Sequence, residues 1–446
     1  MRTTRRDLYA ASAAVLLFAA ALLVGRHIED AEGSLRLRWP PLYAYWLPHV
    51  GPGTPAALAF AVLTVAYGPV LARRLRWRRL LLAGWAGSSA WLWSLALVDG
   101  WQRGVAERLT TKYEYLQAVG GVDDVGAALR TFTDRIPYGP DNWPAHVAGH
   151  PPGALLTFVG LDRIGLGGGA WAAAWCVTAA STAAVAVLVT LRALCGEETA
   201  RRAAPFTVLA PAAVWQAVSA DGWFTGVTAW AVALLALAAT GRTRSPRAAA
   251  LGAGLLLGGA CYLSYGLLLM APVCLGVLAA ARTLRPVPYV LLGMVPWVAT
   301  FTAAGFWWPE GYSVLVGRYY EGAAGVRPYG YFVWANLAAN VAVVGVATAA
   351  ALRHAGVALP GAVRGLRREP ARGDAALALL VAGAVCAVLA ADLSGMSKAE
   401  TERIWLPFTL WLIPAAALLP ERGSRYWLAA QAVGALTINH LLVTGW

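Results

Sequence analysis

Apolar residues along this chain fall in long unbroken runs, without the period-two alternation of half-buried strands, and short arginine-rich stretches separate them. Runs of this length read as helices that cross a bilayer, at about 20 apolar residues per crossing. They lie at 8–25, 55–72, 80–98, 170–191, 203–219, 223–240, 247–264, 266–281, 287–306, 332–352, 375–391, 404–419 and 426–444. The pattern predicts an all-α integral membrane protein with about thirteen transmembrane helices, forming one polytopic domain over residues 1–446. An odd number of crossings puts the two termini on opposite sides.

Arginine clusters precede the first run and follow every second run thereafter. The face they define carries 23 of the 36 Lys and Arg but only six of the 23 Asp and Glu. By the positive-inside rule that face is cytoplasmic. The expectation is a multi-pass plasma-membrane protein with its N-terminus inside and its C-terminus outside. The first run resembles a signal peptide, but its exit, Arg26 to Asp30, offers no small-residue cleavage site, so it reads as a retained span. Residues 153–166 are apolar but short and are interrupted by Asp162 and Arg163. Counted as a crossing they would invert every later loop. They read instead as a re-entrant or interfacial helix at the end of an external loop spanning 99–169.

Composition agrees. Of 446 residues, 59% are apolar and 13% charged, against about 25% charged in a soluble domain. A soluble enzyme, a secreted disulfide scaffold and a single-anchor receptor are excluded. The net charge of +13 is dispersed over the inter-helix clusters, so no nucleic-acid surface is indicated. The five cysteines lie in or at the ends of apolar runs with no CxxC pair, which leaves neither a zinc site nor a disulfide framework. No GxGxxG fingerprint, P-loop or HExxH occurs.

The expected external segments are long: 26–54, 99–169, 307–331 and 392–403. The second contains Lys112-Tyr113-Glu114-Tyr115, then Asp123-Asp124, then His146 and His150-Pro151-Pro152 at the mouth of an apolar helix. This arrangement resembles the GT-C superfamily of polytopic glycosyltransferases, such as the protein O-mannosyltransferases and aminoarabinose transferases. In those enzymes an external loop carries an acid followed by tyrosine, and a Lys/His-Pro-Pro-Leu element opens the next helix. The likeness covers the general layout of about 300 residues and a short local motif. Glycine replaces the leucine, one acid stands where two are common, and the loop follows the third run instead of the first.

The resemblance implies transfer of a sugar, with inversion, from a polyprenyl-phosphate carrier to a glycan, lipid or protein acceptor outside the membrane. Glu114 matches the base, flanked by Tyr113 and Tyr115, with His150 lining the pocket. A carboxylate in a partly dehydrated loop suits proton abstraction from a hydroxyl. Its structural alternative is a solvated acid pairing with Lys112 or Arg108. Asp123, Asp124, Glu29 and Asp30 are the other candidate acids. Arg403, in Arg403-Ile404-Trp405-Leu406-Pro407, resembles a late-helix arginine of the superfamily. With Arg318 and Arg327 it is a candidate for the donor phosphate, which guanidinium grips through a planar fork. Gly149 between His146 and His150, with Pro151 directly after, argues against a helical metal pair, so no metal site is assigned. No cofactor is certain, a divalent cation being the one candidate. Asp221-Gly222 reads as an ordinary turn. The rival class is a polytopic transporter or lipid flippase, which would place ionisable residues at mid-membrane.

Overall fold

The computed structural model describes residues 2–445. The chain is mostly helical, with almost no sheet. Its main helices are α1 (Arg2–Glu32), α2 (Thr54–Arg74), α3 (Trp77–Ala96), α4 (Gly153–Arg163), α5 (Gly169–Leu194), α6 (Glu197–Val208) and α7 (Ala220–Thr240). They continue with α8 (Pro246–Leu263), α9 (Ala271–Ala281), α10 (Val287–Ala303), α11 (Trp308–Glu321), α12 (Tyr329–Gly365), α13 (Gly373–Leu393) and α14 (Ser424–Leu441). A two-stranded antiparallel ribbon pairs β1 (Ala44–Trp46) with β2 (Leu442–Thr444), Tyr45 opposite Val443.

Seven of these helices are long and apolar enough to cross a membrane: α1, α2, α3, α5, α7, α12 and α13. The other six of the thirteen expected runs form shorter or broken helices. Run 203–219 is interrupted because α6 stops at Val208 and only a turn, Ala213–Gln216, follows. Pro211 lacks an N–H and its ring crowds the carbonyl four residues back, which disfavours carrying the helix through it, although α6 accommodates Pro205. Run 287–306 becomes α10, bent by 73° against α11. Residues 404–419 break into two short helical turns, Leu406–Thr409 and Ile413–Leu418, opened by Pro407 and Pro414. Run 153–166 is the 11-residue α4, about 16 Å long at 1.5 Å per residue, half the depth of a hydrocarbon core.

Packing follows sequence composition. α5 lies on α7, α7 on α8, α8 on α10, α1 on α12 and α9 on α13. Small residues let the backbones approach, the usual device where lipid removes the hydrophobic drive between helices. At the α8–α10 crossing, a Cβ on Gly254 would meet the Val290 carbonyl oxygen at 2.0 Å and one on Gly293 the Leu251 carbonyl at 2.3 Å. α12 is not one straight rod. Gly345 (φ 76°, ψ 163°) breaks it, and Gln431 of α14 fills the break, donating to the Val344 carbonyl at 2.8 Å and accepting from Ala347 N–H at 3.4 Å. That contact satisfies backbone groups which lipid would leave bare.

The bundle has two unlike ends. At one, Asp7 near the start of α1 meets Arg353 and His354 of α12, and Arg201 donates to the Ala72 and Leu75 carbonyls. At the other, the four long segments expected outside the membrane interlock. Tyr43 N–H reaches Glu402, Arg327 reaches the Leu35 carbonyl, and Arg318 donates to the Ile136 and Trp143 carbonyls. Because α1 begins at the first end and β2 lies at the second, the described ends of the chain are on opposite ends of the bundle.

Candidate functional site

The interlocked end holds a buried group of charges drawn from four places in the sequence. Glu114 follows a tight turn in which its N–H bonds to the Thr111 carbonyl. His146 lies in the turn Ala145–Ala148, and its N–H donates to the Tyr113 carbonyl at 2.9 Å. That single main-chain bond registers the two loops so that Glu114 Oε2 stands 3.1 Å from His146 Nδ1. Asp221 occupies the first turn of α7, not the tight hairpin its Asp-Gly dipeptide suggested. Ser219 caps that helix by accepting from Gly222 N–H. Arg403 comes from Thr401–Ile404, a turn entered through Ala399 and Glu400, both with left-handed backbone.

Arg403 joins these parts. Its Nη1 pairs with Asp221 Oδ2 at 2.8 Å, and Nη2 lies 3.4 Å from His146 Nε2 and 3.9 Å from Glu400 Oε2. Glu114, Asp221 and Arg403 are each no more than 4% exposed. Tyr115 walls the group, its ring 6.1 Å from His146, 5.7 Å from His150 and 5.6 Å from Phe158. A groove of about 280 Å³ opens beside this wall, lined by Leu116, Gln117, Phe158 and Asp162.

The electrostatics follow from burial and pairing. Desolvation pushes the Glu114 carboxyl up, but the adjacent His146, with Arg403 and Arg108, outweighs it and holds the group below the ordinary carboxylate value. Burial lowers His150 to about 4, so its ring is neutral at physiological pH, and its Nδ1 donates to the His146 carbonyl at 2.7 Å. Glu402 is fully buried, accepts from Tyr43 N–H at 2.7 Å, and is pushed by desolvation up to about 7. A guanidinium held between carboxylates, beside a carboxylate–imidazole pair, makes a charge-compensated buried network in which the imidazole and carboxylates can exchange protons. Among the described residues no group of three or more His, Cys, Asp or Glu is placed to hold a metal.

No family model matches this chain, and no curated protein is significantly similar to it.

The candidates divide clearly. Glu114, Tyr115, His150 and Arg403 come together. Tyr113 is 41% exposed, its ring facing Lys112. Arg327 borders the group through Glu400, 3.7 Å from Nη1, but Nη1 donates to the Lys398 carbonyl and Nε to the Leu35 carbonyl. Arg318 ties down the 130–143 loop and stacks on Tyr138 at 4.4 Å. Asp124 caps a short helix, accepting from Gly126 and Ala127 N–H, while the Asp123 side chain is exposed. Glu29 accepts from Arg36 N–H, and Asp30 is exposed. Sequence reading missed Asp221 and His146 as partners of this group. The available signal was an acid at a helix start on the face where acids concentrate.

Proposed function

We propose that this chain is a membrane glycosyltransferase of GT-C-like fold, transferring a sugar from a polyprenyl-phosphate carrier to an acceptor on the extracytoplasmic side of the plasma membrane. The observation that supports it is the buried Glu114–His146–Arg403–Asp221 group at the loop-rich end of the bundle. Burying four ionisable groups rarely stabilises a fold against an apolar alternative, and their placement at one end, away from mid-membrane, favours an interfacial reaction over a transport path.

In this reading the Glu114–His146 pair takes the proton from the acceptor hydroxyl as that oxygen attacks the anomeric carbon. The carboxylate orients the ring and stabilises the charge it acquires. The bond from the anomeric carbon to the phosphate oxygen breaks, and Arg403, held by Asp221, stabilises the polyprenyl phosphate that leaves. Neutral His150 and Tyr115 shape the sugar pocket. The test is a comparison of Glu114→Gln, His146→Gln and the double variant in a transfer assay. Two residues acting as one unit give a double variant no slower than the worse single. Additive losses, or full activity in either single variant, would reject the pair as the proton acceptor.

A further inference from the structure

At the opposite end of the bundle lies a cavity of about 750 Å³ between the C-terminal ends of α7 and α9 and the starts of α8 and α10. α7 has 21 residues, so this cavity is about 30 Å from the charge group described above. Arg247, Arg282 and Arg285 line it, with Thr240, Thr283 and Tyr289, and no acid is among its lining residues. The starts of α8 and α10, at Pro246 and Pro286, also face it, but the ends of α7 and α9 face it too, so the helix dipoles offset one another and the positive charge is that of the arginines.

The contrast with other arginines at this end is informative. Arg192 and Arg201 share Glu197 at 2.8 and 2.6 Å, and the crevice lined by Arg73 and Arg202 also contains Glu421. Among the described residues, Arg247, Arg282 and Arg285 have no carboxylate partner. Arg282 donates to the Arg367 and Arg368 carbonyls, and Arg247 lies 5.8 Å from the Tyr289 ring centre. Three guanidiniums around one cavity with no acid in its lining favour an anionic occupant. A second cavity of about 370 Å³ shares Arg282 and Thr283 and is otherwise lined by Leu275, Leu278, Ala279, Leu284 and Leu366. Leu275 and Leu284 are 60% and 69% exposed. An anionic cavity occupant continuous with an apolar groove has the chemistry of a phospholipid.

We propose that this paired cavity binds one anionic phospholipid from the bilayer. The phosphate headgroup lies between Arg247, Arg285 and the two helix starts, and an acyl chain lies along the Leu275–Leu284 groove. The site is independent of the catalytic reading and of which way the protein faces.

The test uses the full chain reconstituted into vesicles of equimolar phosphatidylglycerol and phosphatidylcholine, extracted mildly and weighed by native mass spectrometry. The expected result is one retained phosphatidylglycerol in preference to phosphatidylcholine, unaffected by excess inorganic phosphate because the groove contributes. At about a factor of five per basic residue, Arg247→Gln/Arg285→Gln should reduce retention by roughly 30-fold. The control pair Arg78→Gln/Arg79→Gln, in another arginine cluster, should leave it intact. Equal retention of both lipids, equal loss in the control, or displacement by inorganic phosphate would overturn the proposal. The last result would mark a site for a free anion.

Discussion

Replacing Glu402 with glutamine should stabilise the protein, and only above mildly acidic pH. The carboxyl is fully buried and accepts the Tyr43 N–H at 2.7 Å. Glutamine has the same shape and keeps that acceptor but carries no charge. Burial raises the group from 4.5 to about 7. Between those values the folded state keeps a proton that the unfolded chain has released. The folded state therefore binds more protons, and its stability falls as pH rises through this window, then levels off above about 7. The gap corresponds to ~3 kcal/mol. His150, lowered to about 4 by burial, acts with the opposite sign between about 4 and 6.5, and Glu114 also has its own dependence. Taking the difference between wild type and Glu402→Gln removes both. The assay is thermal unfolding in detergent micelles, followed by tryptophan fluorescence from pH 4.5 to 8. The variant's midpoint should coincide with wild type near pH 4.5 and lie several degrees above it at pH 8. A variant less stable at pH 8, or a difference that does not change with pH, would refute the reasoning.

Three further outcomes are expected. Arg403→Lys replaces a forked donor by a point charge and should weaken polyprenyl-phosphate binding by about 1.5–3 kcal/mol; unchanged affinity would return Arg403 to a structural role with Asp221. Gly345→Ala places a Cβ 1.8 Å from Gln431 Oε1 at φ 76°, ψ 163°, a glycine-only conformation, so stability should fall by about 1–3 kcal/mol for the backbone alone, seen as a lower thermal midpoint; a wild-type midpoint would show that α12 is not broken there. In a cysteine-free background, single cysteines at Ser34, Gly139 and Ser397 should react with an impermeant thiol reagent on intact cells while those at Ser245 and Gly365 stay protected. Labelling at 245 would reverse the proposed orientation.

The class of fold was legible because lipid imposes one rule, that backbone groups be satisfied within helices, and hydropathy reports it directly. Run-counting overreached where prolines act. Pro211 breaks run 203–219, and 404–419 turns twice, although both stretches are as apolar as a true span. The grouping of the four long segments at one end followed from the alternation of arginine clusters. Arg403 and Glu114 were singled out by their neighbours in sequence, and the structure brings both into one buried group. Asp221 was not, because Asp-Gly is common in turns and nothing local shows that a helix begins one residue earlier. His146 was passed over because its role depends on a main-chain bond to Tyr113, some 33 residues away. Arg318 and Arg327 show the converse limit: an arginine on an acid-rich face attracts a functional reading, yet here both mainly hold backbone carbonyls.

The central claim is transfer of a sugar, and it is most directly tested by following the sugar and its lipid separately. Proteoliposomes of the purified chain would receive radiolabelled polyprenyl-phosphate hexoses and pentoses together with an extract of envelope acceptors. The account predicts that label leaves the lipid-soluble fraction with stoichiometric release of polyprenyl phosphate, and that Glu114→Gln slows this by about 10²–10⁴. Label that stays on its carrier while moving across the bilayer would contradict it and identify a lipid transporter.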